Sequence, residues 1–250
     1  MAIITGASSG LGREYALAVC KFHPEIDEFL LIARRKERLD ALAKDLPGKK
    51  VHVLPLDLTV AGRRAEIAAF LKEHAPDVRL LINNSGYGWM GNVSEGDPEK
   101  QADMVSLNCG ALTAVCAMVL PYMKKGSAVI NVCSIAAFVP TPRMAVYCST
   151  KAYVFSFSKA LREETKSAGI NVLAACPGPM DTEFLDVAGI TGRSKLFASL
   201  PRVSPKRMAQ ISLKKAFAGR AVYTDTLLYK LYRVMGKLIP HNWLMKISTV

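Results

Sequence analysis

Apolar runs typical of buried strands alternate along this chain with helical patterns at a regular interval. The predicted strands are residues 2–4, 29–33, 51–55, 80–83, 128–132, 171–175 and 221–223. Several are almost continuously apolar, as strands of a parallel sheet covered on both faces are. Helical patterns begin between them, near Leu11, Lys36, Ala61, Pro98, Ala145 and Pro205. The alternation predicts an α/β fold, a doubly wound parallel sheet of about seven strands with helices on both faces.

The length and composition favour a single domain. The chain has 250 residues, half of them hydrophobic, which is enough for one sizeable core, and it contains no repeat or linker. It opens on an apolar run without a basic leader. No apolar stretch is expected to approach the length of about 20 residues that a membrane-spanning helix requires. We therefore expect a cytoplasmic protein, with peripheral contact at a membrane surface left open.

The six cysteines form no C-x-x-C pair and lie near no histidine cluster. In a chain of this size they are typical of unpaired, buried thiols in a reducing compartment. We therefore expect neither a disulfide framework nor a metal site.

A glycine-rich turn, TGASSGLG, occupies residues 5–12 between the first predicted strand and the first helix. Glycines in such a turn let the backbone approach a pyrophosphate, which then lies on the amides at the helix N-terminus. The position of the turn at the start of a βαβ unit predicts a Rossmann-type dinucleotide site. The candidate contacts are Gly6, Ser8, Ser9, Gly10, Leu11 and Gly12.

The end of the second strand bears on which dinucleotide is bound. An acid there would hold the ribose 2′-hydroxyl of NAD, but this chain has Ala33 followed by Arg34 and Arg35. A neutral residue removes repulsion toward a 2′-phosphate, and an arginine supplies a charged donor for it. We predict that NADP(H) is preferred and that NAD(H) remains possible. The alternative is that the two arginines only begin a solvated helix face.

Polar residues also follow the third and fourth strands. Asp57 and Leu58 follow the third strand, where the carboxylate could accept from an adenine amine or could cap the next helix. Asn84, Ser85 and Gly86 follow the fourth strand, where they would border the same cleft.

The sequence Tyr147-Cys148-Ser149-Thr150-Lys151 places a tyrosine and a lysine four residues apart, thirteen residues after Ser134. On a helix the two side chains share one face. A phenol normally has a pKa of about 10, and a nearby ammonium lowers it toward the range useful for acid–base chemistry on an alcohol or ketone. The alternative is an ordinary helix carrying an aromatic residue and a surface lysine.

These motifs occur in a fixed order along the chain. They are residues 5–12, residues 83–86, Asn108, Ser134, Tyr147, Lys151, Pro177 and Gly178. In order, spacing and total length the set resembles the compact short-chain dehydrogenase/reductases. The resemblance covers about residues 1–225. Two departures are Ser85, where that family usually has alanine, and a basic apolar tail.

The resemblance implies a catalytic tetrad of Asn108, Ser134, Tyr147 and Lys151. Ser134 would hydrogen-bond the substrate oxygen, and Tyr147 would exchange a proton with it. Lys151 would lower the pKa of Tyr147 and hold the nicotinamide ribose, and Asn108 would fix a water in a proton relay. A bound dinucleotide would supply the hydride. The alternative for Asn108 is a bond to backbone inside its helix.

The resemblance also implies contacts and partners beyond the tetrad. Pro177 and Gly178 would line the nicotinamide side of the cleft. Thr182 would contact the carboxamide, or would only be the N-cap of a following helix. A homodimer or homotetramer is expected, formed through the helices that begin near Pro98 and Ala145.

Residues 179–205 combine turn residues with scattered large apolar ones, and in the family this segment closes over the substrate. The apolar residues are Met180, Phe184, Leu185, Ile190, Leu196, Phe197 and Leu200. They favour a hydrophobic small-molecule carbonyl or alcohol substrate, although any lid has apolar residues that face its own domain. We predict an NADP-binding catalytic domain over residues 1–225, which includes this loop, and a C-terminal extension of the same domain over residues 226–250.

The extension is amphipathic and basic. Residues 201–250 hold ten Lys/Arg and one acid, so they carry +9 of the total net charge of +12. The apolar residues at helical spacing on one face are Leu227, Leu231, Val234, Met235 and Leu238, and Lys230, Arg233 and Lys237 are on another face. The pattern suits an anionic membrane surface, or a helix that packs on its own domain or on a second subunit. Nucleic acid is not expected, because bulky aliphatics separate the basic residues.

The main hypothesis is an NADPH-preferring carbonyl reductase or alcohol dehydrogenase. A dinucleotide-binding regulatory or scaffold protein, docked to a membrane or a partner by its tail, is the alternative from another class. The intact Ser134, Tyr147 and Lys151 argue against that alternative, since a binding protein does not need them. An epimerase or dehydratase is disfavoured because the chain is short for a separate substrate domain.

Overall fold

A computed structural model describes residues 1–190 and 199–247 of the chain. Leu196 and Phe197, two of the apolar residues predicted to cover the substrate, lie outside the described residues. The remainder forms one sheet with helices on both faces.

Seven parallel strands form this sheet in the order β3-β2-β1-β4-β5-β6-β7, which confirms the predicted fold class. Each predicted strand is present, and most begin or end within two residues of the predicted position. The exception is β5, which begins five residues earlier and pairs irregularly with β4 there. The strands are β1 (Ala2–Thr5), β2 (Glu28–Ala33), β3 (Lys50–Pro55), β4 (Val78–Asn83), β5 (Met123–Val132), β6 (Asn171–Cys176) and β7 (Val222–Thr224).

Helices connect the strands and continue after β7. A short 3-10 turn, Ala61–Arg64, stands where the third helix was predicted to begin, and the α-helix itself follows it. The helices are α1 (Gly10–Phe22), α2 (Lys36–Lys44), α3 (Ala65–His74), α4 (Pro98–Val105), α5 (Leu112–Val119), α6 (Ala145–Glu164), α7 (Glu183–Val187), α8 (Pro205–Phe217), α9 (Leu227–Leu238) and α10 (His241–Ile247).

The helix between β4 and β5 is not the continuous α-helix that the sequence pattern predicted. Its middle, Ser106–Ala111, is a π-helical turn between α4 and α5. Such turns widen the backbone by one residue and are frequent at functional sites. Asn108, a predicted member of the tetrad, lies inside this turn.

The same run, Pro98–Tyr122, has 25 residues and a window of mean hydropathy 1.7, so by length and composition alone it could cross a membrane. The expectation that no apolar stretch approaches this length was therefore wrong. In the fold, α4 packs against α6, and α5 packs against β4 and α3. We interpret the run as a core helix whose apolar face covers the sheet.

Two apolar layers hold the helices to the sheet. Alternate residues of each strand point to opposite faces, so Ile4 joins the layer under α1 and α8, whereas Ile3 joins the layer under α3, α5 and α6. Each fully buried aliphatic side chain stabilises the fold by about 1.5–3 kcal/mol relative to an exposed one. The two layers fix the carboxyl ends of the strands.

The strand order reverses between β1 and β4, since the chain moves outward to β3 and then returns to the other side of β1. In open α/β sheets a crevice forms at such a reversal, outside the carboxyl ends of the strands. Most of the predicted site motifs follow those ends, whereas Asn108, Tyr147 and Lys151 lie on the connecting helices.

Candidate active site

A cleft of about 550 Å³ runs along the carboxyl edge of the sheet. Of the predicted site residues, all except Gly12 and Asn108 line it. Those that do are Gly6, Ser8, Ser9, Gly10, Leu11, Arg34, Arg35, Asp57, Leu58, Asn84, Ser85, Gly86, Ser134, Tyr147, Lys151, Pro177, Gly178 and Thr182.

The glycine-rich turn has the backbone that the prediction required. Gly6 and Gly10 have φ of 64° and 50°, a left-handed region that favours glycine. A Cβ at Gly12 would lie 2.2 Å from the Gly6 carbonyl oxygen, so only glycine lets α1 approach the turn this closely. Gly12 therefore shapes the turn from beneath and does not face the cleft.

Two polar side chains hold this turn against the end of β4. The Thr5 hydroxyl accepts hydrogen bonds from the backbone amides of Asn84 (3.0 Å) and Ser85 (3.1 Å). In return Nδ2 of Asn84 donates to the carbonyl oxygens of Thr5 (3.2 Å) and Gly6 (3.1 Å). Asn84 lines the cleft, but its amide supports the turn that would receive a pyrophosphate.

Arg35, the second of the two arginines predicted near a 2′-phosphate, lies over the glycine-rich turn. Its Nη2 donates to the hydroxyls of Ser9 (2.9 Å) and Ser8 (3.3 Å). The same atom donates to Glu183 Oε2 at 2.9 Å. Arg34 is exposed at the same edge of the cleft. The two arginines thus belong to the cleft and do not merely begin a solvated helix face.

Glu183 is a site residue that the sequence pattern did not predict. This first residue of α7 forms ion pairs with Arg35 and Arg38, two residues of the opposite rim. Hydrogen bonds from Arg38 and Arg35 lower the pKa of Glu183 to about 2. The carboxylate therefore stays ionised and joins α7 to the arginines across the cleft.

Asp57 does not cap the following 3-10 helix, whose N-cap is Val60, and instead closes a turn with Thr59. Its Oδ1 accepts from the Thr59 amide (2.9 Å) and the Thr59 hydroxyl (2.8 Å). Burial acts to raise the pKa of Asp57, but these bonds and the charge of Arg34 outweigh burial and lower it. Leu58 is buried beside it in the cleft wall.

Tyr147 and Lys151 lie one turn apart on α6, and both are buried. The Lys151 Nζ is 5.8 Å from the centroid of the Tyr147 ring and donates to the Val132 carbonyl oxygen at 3.0 Å. Ser134 is the second residue after β5, and its hydroxyl accepts from the Ala136 amide at 3.1 Å. All three side chains line the same part of the cleft, so the alternative of an ordinary helix with a surface lysine is wrong.

The expected lowering of the Tyr147 pKa is not found among the protein's own groups. Burial raises the pKa of the phenol, and the neighbouring Ser134 hydroxyl opposes that rise only in part. Burial also lowers the pKa of Lys151, which weakens the ammonium as a source of positive charge. The protein by itself therefore keeps the proton on Tyr147 at neutral pH.

Asn108 is buried near Lys151 and does not line the cleft. Its Nδ2 donates to the Tyr87 carbonyl oxygen (2.9 Å) and the Thr150 hydroxyl (3.0 Å), and its Oδ1 accepts from the Tyr87 amide (3.1 Å). A Cβ at Gly86 would lie 2.8 Å from Asn108 Oδ1 and 3.6 Å from Lys151 Nζ. Asn108 thus fixes the loop after β4 beside Lys151, and the alternative of a bond within its own helix is wrong.

The C-terminal segment supplies part of the cleft that sequence patterns did not predict. Tyr229 is buried, its hydroxyl donates to the Pro201 carbonyl oxygen at 2.7 Å, and Leu228 and Tyr232 line the cavity. A Cβ at Gly178 would lie 2.2 Å from the Tyr229 ring. Aromatic residues at helical spacing were visible in the tail, but nothing in the sequence showed which segment they contact.

Thr182 precedes α7 at the N-cap position, but its side chain makes no capping hydrogen bond. A Cβ at Gly10 would meet the Thr182 side chain at 3.4 Å. Thr182 therefore faces the glycine-rich turn across the cleft, close to where the resemblance places a nicotinamide contact.

Residues 1–191 match the family model described as short chain dehydrogenase. The chain belongs to the short-chain dehydrogenase/reductase family. The Schizosaccharomyces pombe NADP-dependent 3-hydroxy acid dehydrogenase is 33% identical over 239 residues, which cover 91% of each chain. Family membership confirms the predicted resemblance and makes the protein an oxidoreductase.

Two solved structures are similar to this short-chain dehydrogenase/reductase over almost its whole length. A short-chain dehydrogenase from Sphingobium yanoikuyae in complex with NADPH is 30% identical with a TM-score of 0.81, covering 98% of this chain and 94% of its own. The bulky-bulky ketone specific alcohol dehydrogenase from Comamonas testosteroni is 25% identical with a TM-score of 0.76, covering 98% and 93%. Both coverages include the C-terminal segment.

Proposed function

We propose that this enzyme is an NADPH-preferring oxidoreductase that interconverts a ketone and a secondary alcohol on a hydrophobic substrate. The observation that carries the proposal is the buried Tyr147, which shares one cleft wall with Ser134 and Lys151. That wall continues into the glycine-rich turn, so a reacting carbonyl and a dinucleotide can occupy neighbouring parts of one cleft.

The coenzyme preference rests on charge. The residue that ends β2 is the neutral Ala33, and Arg34 and Arg35 stand at the rim beside the turn. A 2′-phosphate there would receive charge-assisted hydrogen bonds and meet no acid at the end of β2. The NADPH-bound bacterial structure and the NADP-dependent yeast relative support the same preference. NAD(H) remains a possible second coenzyme because the turn itself does not distinguish the two.

Each polar group in the catalytic part of the cleft has a role suited to its chemistry. The bound dinucleotide would supply the hydride. Ser134 would hold the substrate oxygen, and Tyr147 would donate its proton to that oxygen during reduction. The raised pKa of Tyr147 keeps that proton in place before the reaction. Lys151 would then favour the phenolate, and Asn108 would anchor the water that returns the proton.

The substrate part of the cleft is apolar. The Phe184 ring packs at a tilt against the Tyr147 ring with centroids 5.6 Å apart, and Met144 and Ile190 also line the cleft. The likeness to a dehydrogenase that is specific for bulky ketones supports a large apolar substrate. A lipid-like or steroid-like ketone has the appropriate chemistry.

The test is coenzyme oxidation with a panel of ketones. Purified protein is expected to bind NADPH with a change in its fluorescence, and bulky apolar ketones are expected to consume it faster than small polar ones. NADPH binding without turnover across a broad panel would instead favour the regulatory or scaffold protein. The convergence of Ser134, Tyr147 and Lys151 on the cleft does not favour that alternative.

Replacing Glu183 with glutamine is expected to lower the Kd for NADPH about three- to tenfold. The Glu183 carboxylate competes with a 2′-phosphate for Arg35 and Arg38, and each exposed ion pair is worth about 0.2–1 kcal/mol. Isothermal titration measures the change, and NADH is the matched control because it lacks the phosphate. Weaker NADPH binding in the variant would show that Glu183 retains the coenzyme.

Assembly and location stay predictions for this protein. We infer a homodimer or homotetramer formed through the helices that include α4, α5 and α6, where Val105 and Tyr153 are exposed. Light scattering on the purified chain measures the mass. A cytoplasmic location, with peripheral contact at a membrane, is likewise a proposal.

A further inference from the structure

Helix α9 presents a row of bulky apolar side chains to solvent. Leu227, Leu231, Val234 and Leu238, here called the outer stripe, are between 46% and 81% exposed. Met235, which was predicted on the same face, is instead partly buried against the core. The spacing of the outer-stripe residues places them on one face of the helix over about 16 Å. Exposed apolar rows of this kind mark surfaces that contact another body.

The helix cannot rotate to hide the outer stripe. Its inner face is already fixed, because a Cβ at Gly236 would lie 2.5 Å from the Phe138 carbonyl oxygen. Tyr229, on the same inner face, is buried against Gly178. The leucines therefore face outward as a consequence of close packing on the other side.

Basic residues flank the outer stripe. Lys230, Arg233 and Lys237 follow one side of α9, and residues 226–247 contain no acid. Within residues 1–190 and 199–247, no ion pair involves these three side chains. Trp243 on α10 is also exposed. A helix with an apolar stripe, a basic flank and a nearby tryptophan is typical of helices that lie in a membrane interface.

The outer stripe is continuous with the mouth of the cleft. Leu228, the neighbour of Leu227, lines the cavity and is 49% exposed. Val187 at the end of α7 also lines the cavity and is 63% exposed. The apolar surface at Leu227 therefore continues through Leu228 into the lining of the cleft, which also includes Tyr147.

We propose that α9 docks on an anionic membrane surface and that the cleft mouth then faces the bilayer. The outer stripe enters the acyl boundary while Lys230, Arg233 and Lys237 contact lipid phosphates. The apolar substrate passes between bilayer and cleft without crossing water. This last step rests on the proposed reductase function, whereas the docking itself does not.

Charge decides between a membrane and a second copy of the chain. A two-fold interface built on α9 would bring Lys230, Arg233 and Lys237 of each copy to the same patch, where like charges repel. Anionic headgroups instead complement these charges. The net charge of +9 over residues 201–250 favours the same occupant.

The test is sedimentation of the full chain with vesicles. Binding to vesicles of equal parts phosphatidylglycerol and phosphatidylcholine is expected to exceed binding to pure phosphatidylcholine at least about tenfold. The pair Lys230→Gln and Lys237→Gln is expected to weaken anionic binding about twenty-five-fold, at about fivefold per lysine. The pair Leu231→Gln and Leu238→Gln is expected to weaken it at least about tenfold. Added salt lowers binding of the original chain.

The control for the leucine pair is Val60→Gln with Val93→Gln, and the control for the lysine pair is Lys44→Gln with Lys72→Gln. Each control changes exposed residues of similar character outside α9. They are expected to bind vesicles like the original chain. Equal loss in the control pairs, or no preference for anionic vesicles, would overturn the proposal. A dimer that dissociates in the Leu231→Gln and Leu238→Gln variant would assign the surface to a second copy and would also overturn it.

The chemistry is tested separately from the docking. The Tyr147→Phe variant is expected to lose turnover and to bind vesicles like the original chain. This result would show that turnover can be lost without any loss of docking. Turnover without vesicle binding would refute the docking alone. Vesicle binding without turnover on any ketone would leave the docking in place and refute the reductase function.

Discussion

Replacing Tyr147 with phenylalanine is expected to lower kcat for ketone reduction at least about a hundredfold. General acids of this kind contribute about 10²–10⁴-fold, and the hydroxyl removed is the proposed proton donor. The Kd for NADPH is expected to change little, because the ring keeps its contact with Phe184. Steady-state rates and a separate binding titration distinguish the two effects.

The matched control for this change is Tyr153→Phe on the same helix. Tyr153 is exposed, and its hydroxyl hydrogen-bonds Thr113 at 2.8 Å outside the cleft. Its removal is expected to leave kcat within about twofold, as for a surface change. Unchanged turnover in Tyr147→Phe would refute the assigned acid, even if NADPH binding were as expected.

Replacing Arg35 with alanine is expected to raise the Kd for NADPH about ten- to a hundredfold and to leave the Kd for NADH within about threefold. A hydrogen bond to a charged group is worth about 1.5–3 kcal/mol, and only NADPH carries the 2′-phosphate that Arg35 would contact. Fluorescence titration with each coenzyme gives the two constants. Their ratio is the measured specificity.

Two further variants separate charge recognition from support of the turn. Arg35 also donates to Ser8 and Ser9, so equal losses for NADH and NADPH would show that it mainly shapes the glycine-rich turn. Arg35→Ala combined with Glu183→Gln also removes the carboxylate, which in Arg35→Ala alone still pairs with Arg38. The control Lys36→Ala alters the next residue, whose ammonium pairs with Asp40 on α2.

The fold was predictable because each local pattern agreed with the global arrangement. Continuous apolar strands such as β2 and β4 can be buried on both faces only in a sheet covered on both sides. Pro98 and Pro205 marked helix starts correctly, since proline at the first helical position loses no hydrogen bond. The π-helical turn around Asn108 was not predictable, because no residue type in that stretch specifies it.

The positions of the motifs correctly predicted most of the residues that line the cleft, but the contacts of some of these residues differ from those predicted. Asn84 and Asp57 were placed correctly, but their hydrogen bonds serve the local backbone. Glu183 and Tyr229 were missed because each meets partners more than 25 residues away in the chain. Contacts between residues so far apart in sequence depend on how helices and strands pack together, so the periodicity of the sequence does not predict them.

The sequence prediction and the structure disagree on the pKa of Tyr147. The spacing of Tyr147 and Lys151 correctly placed both side chains on one face of α6, because helix geometry is local. The direction of the pKa shift was wrong, since burial dominates and depends on everything packed around the phenol.

The sequence by itself determined the order of strands and helices, the glycine turn and the spacing of Tyr147 and Lys151, because these depend on residues close together in the chain. Tertiary structure alone decided that α9 packs through Gly236 and Tyr229, and therefore that its leucines face solvent. It also decided that Glu183 meets Arg35 across the cleft. Burial and long-range pairing are properties of the packed chain, and no short stretch of it encodes them.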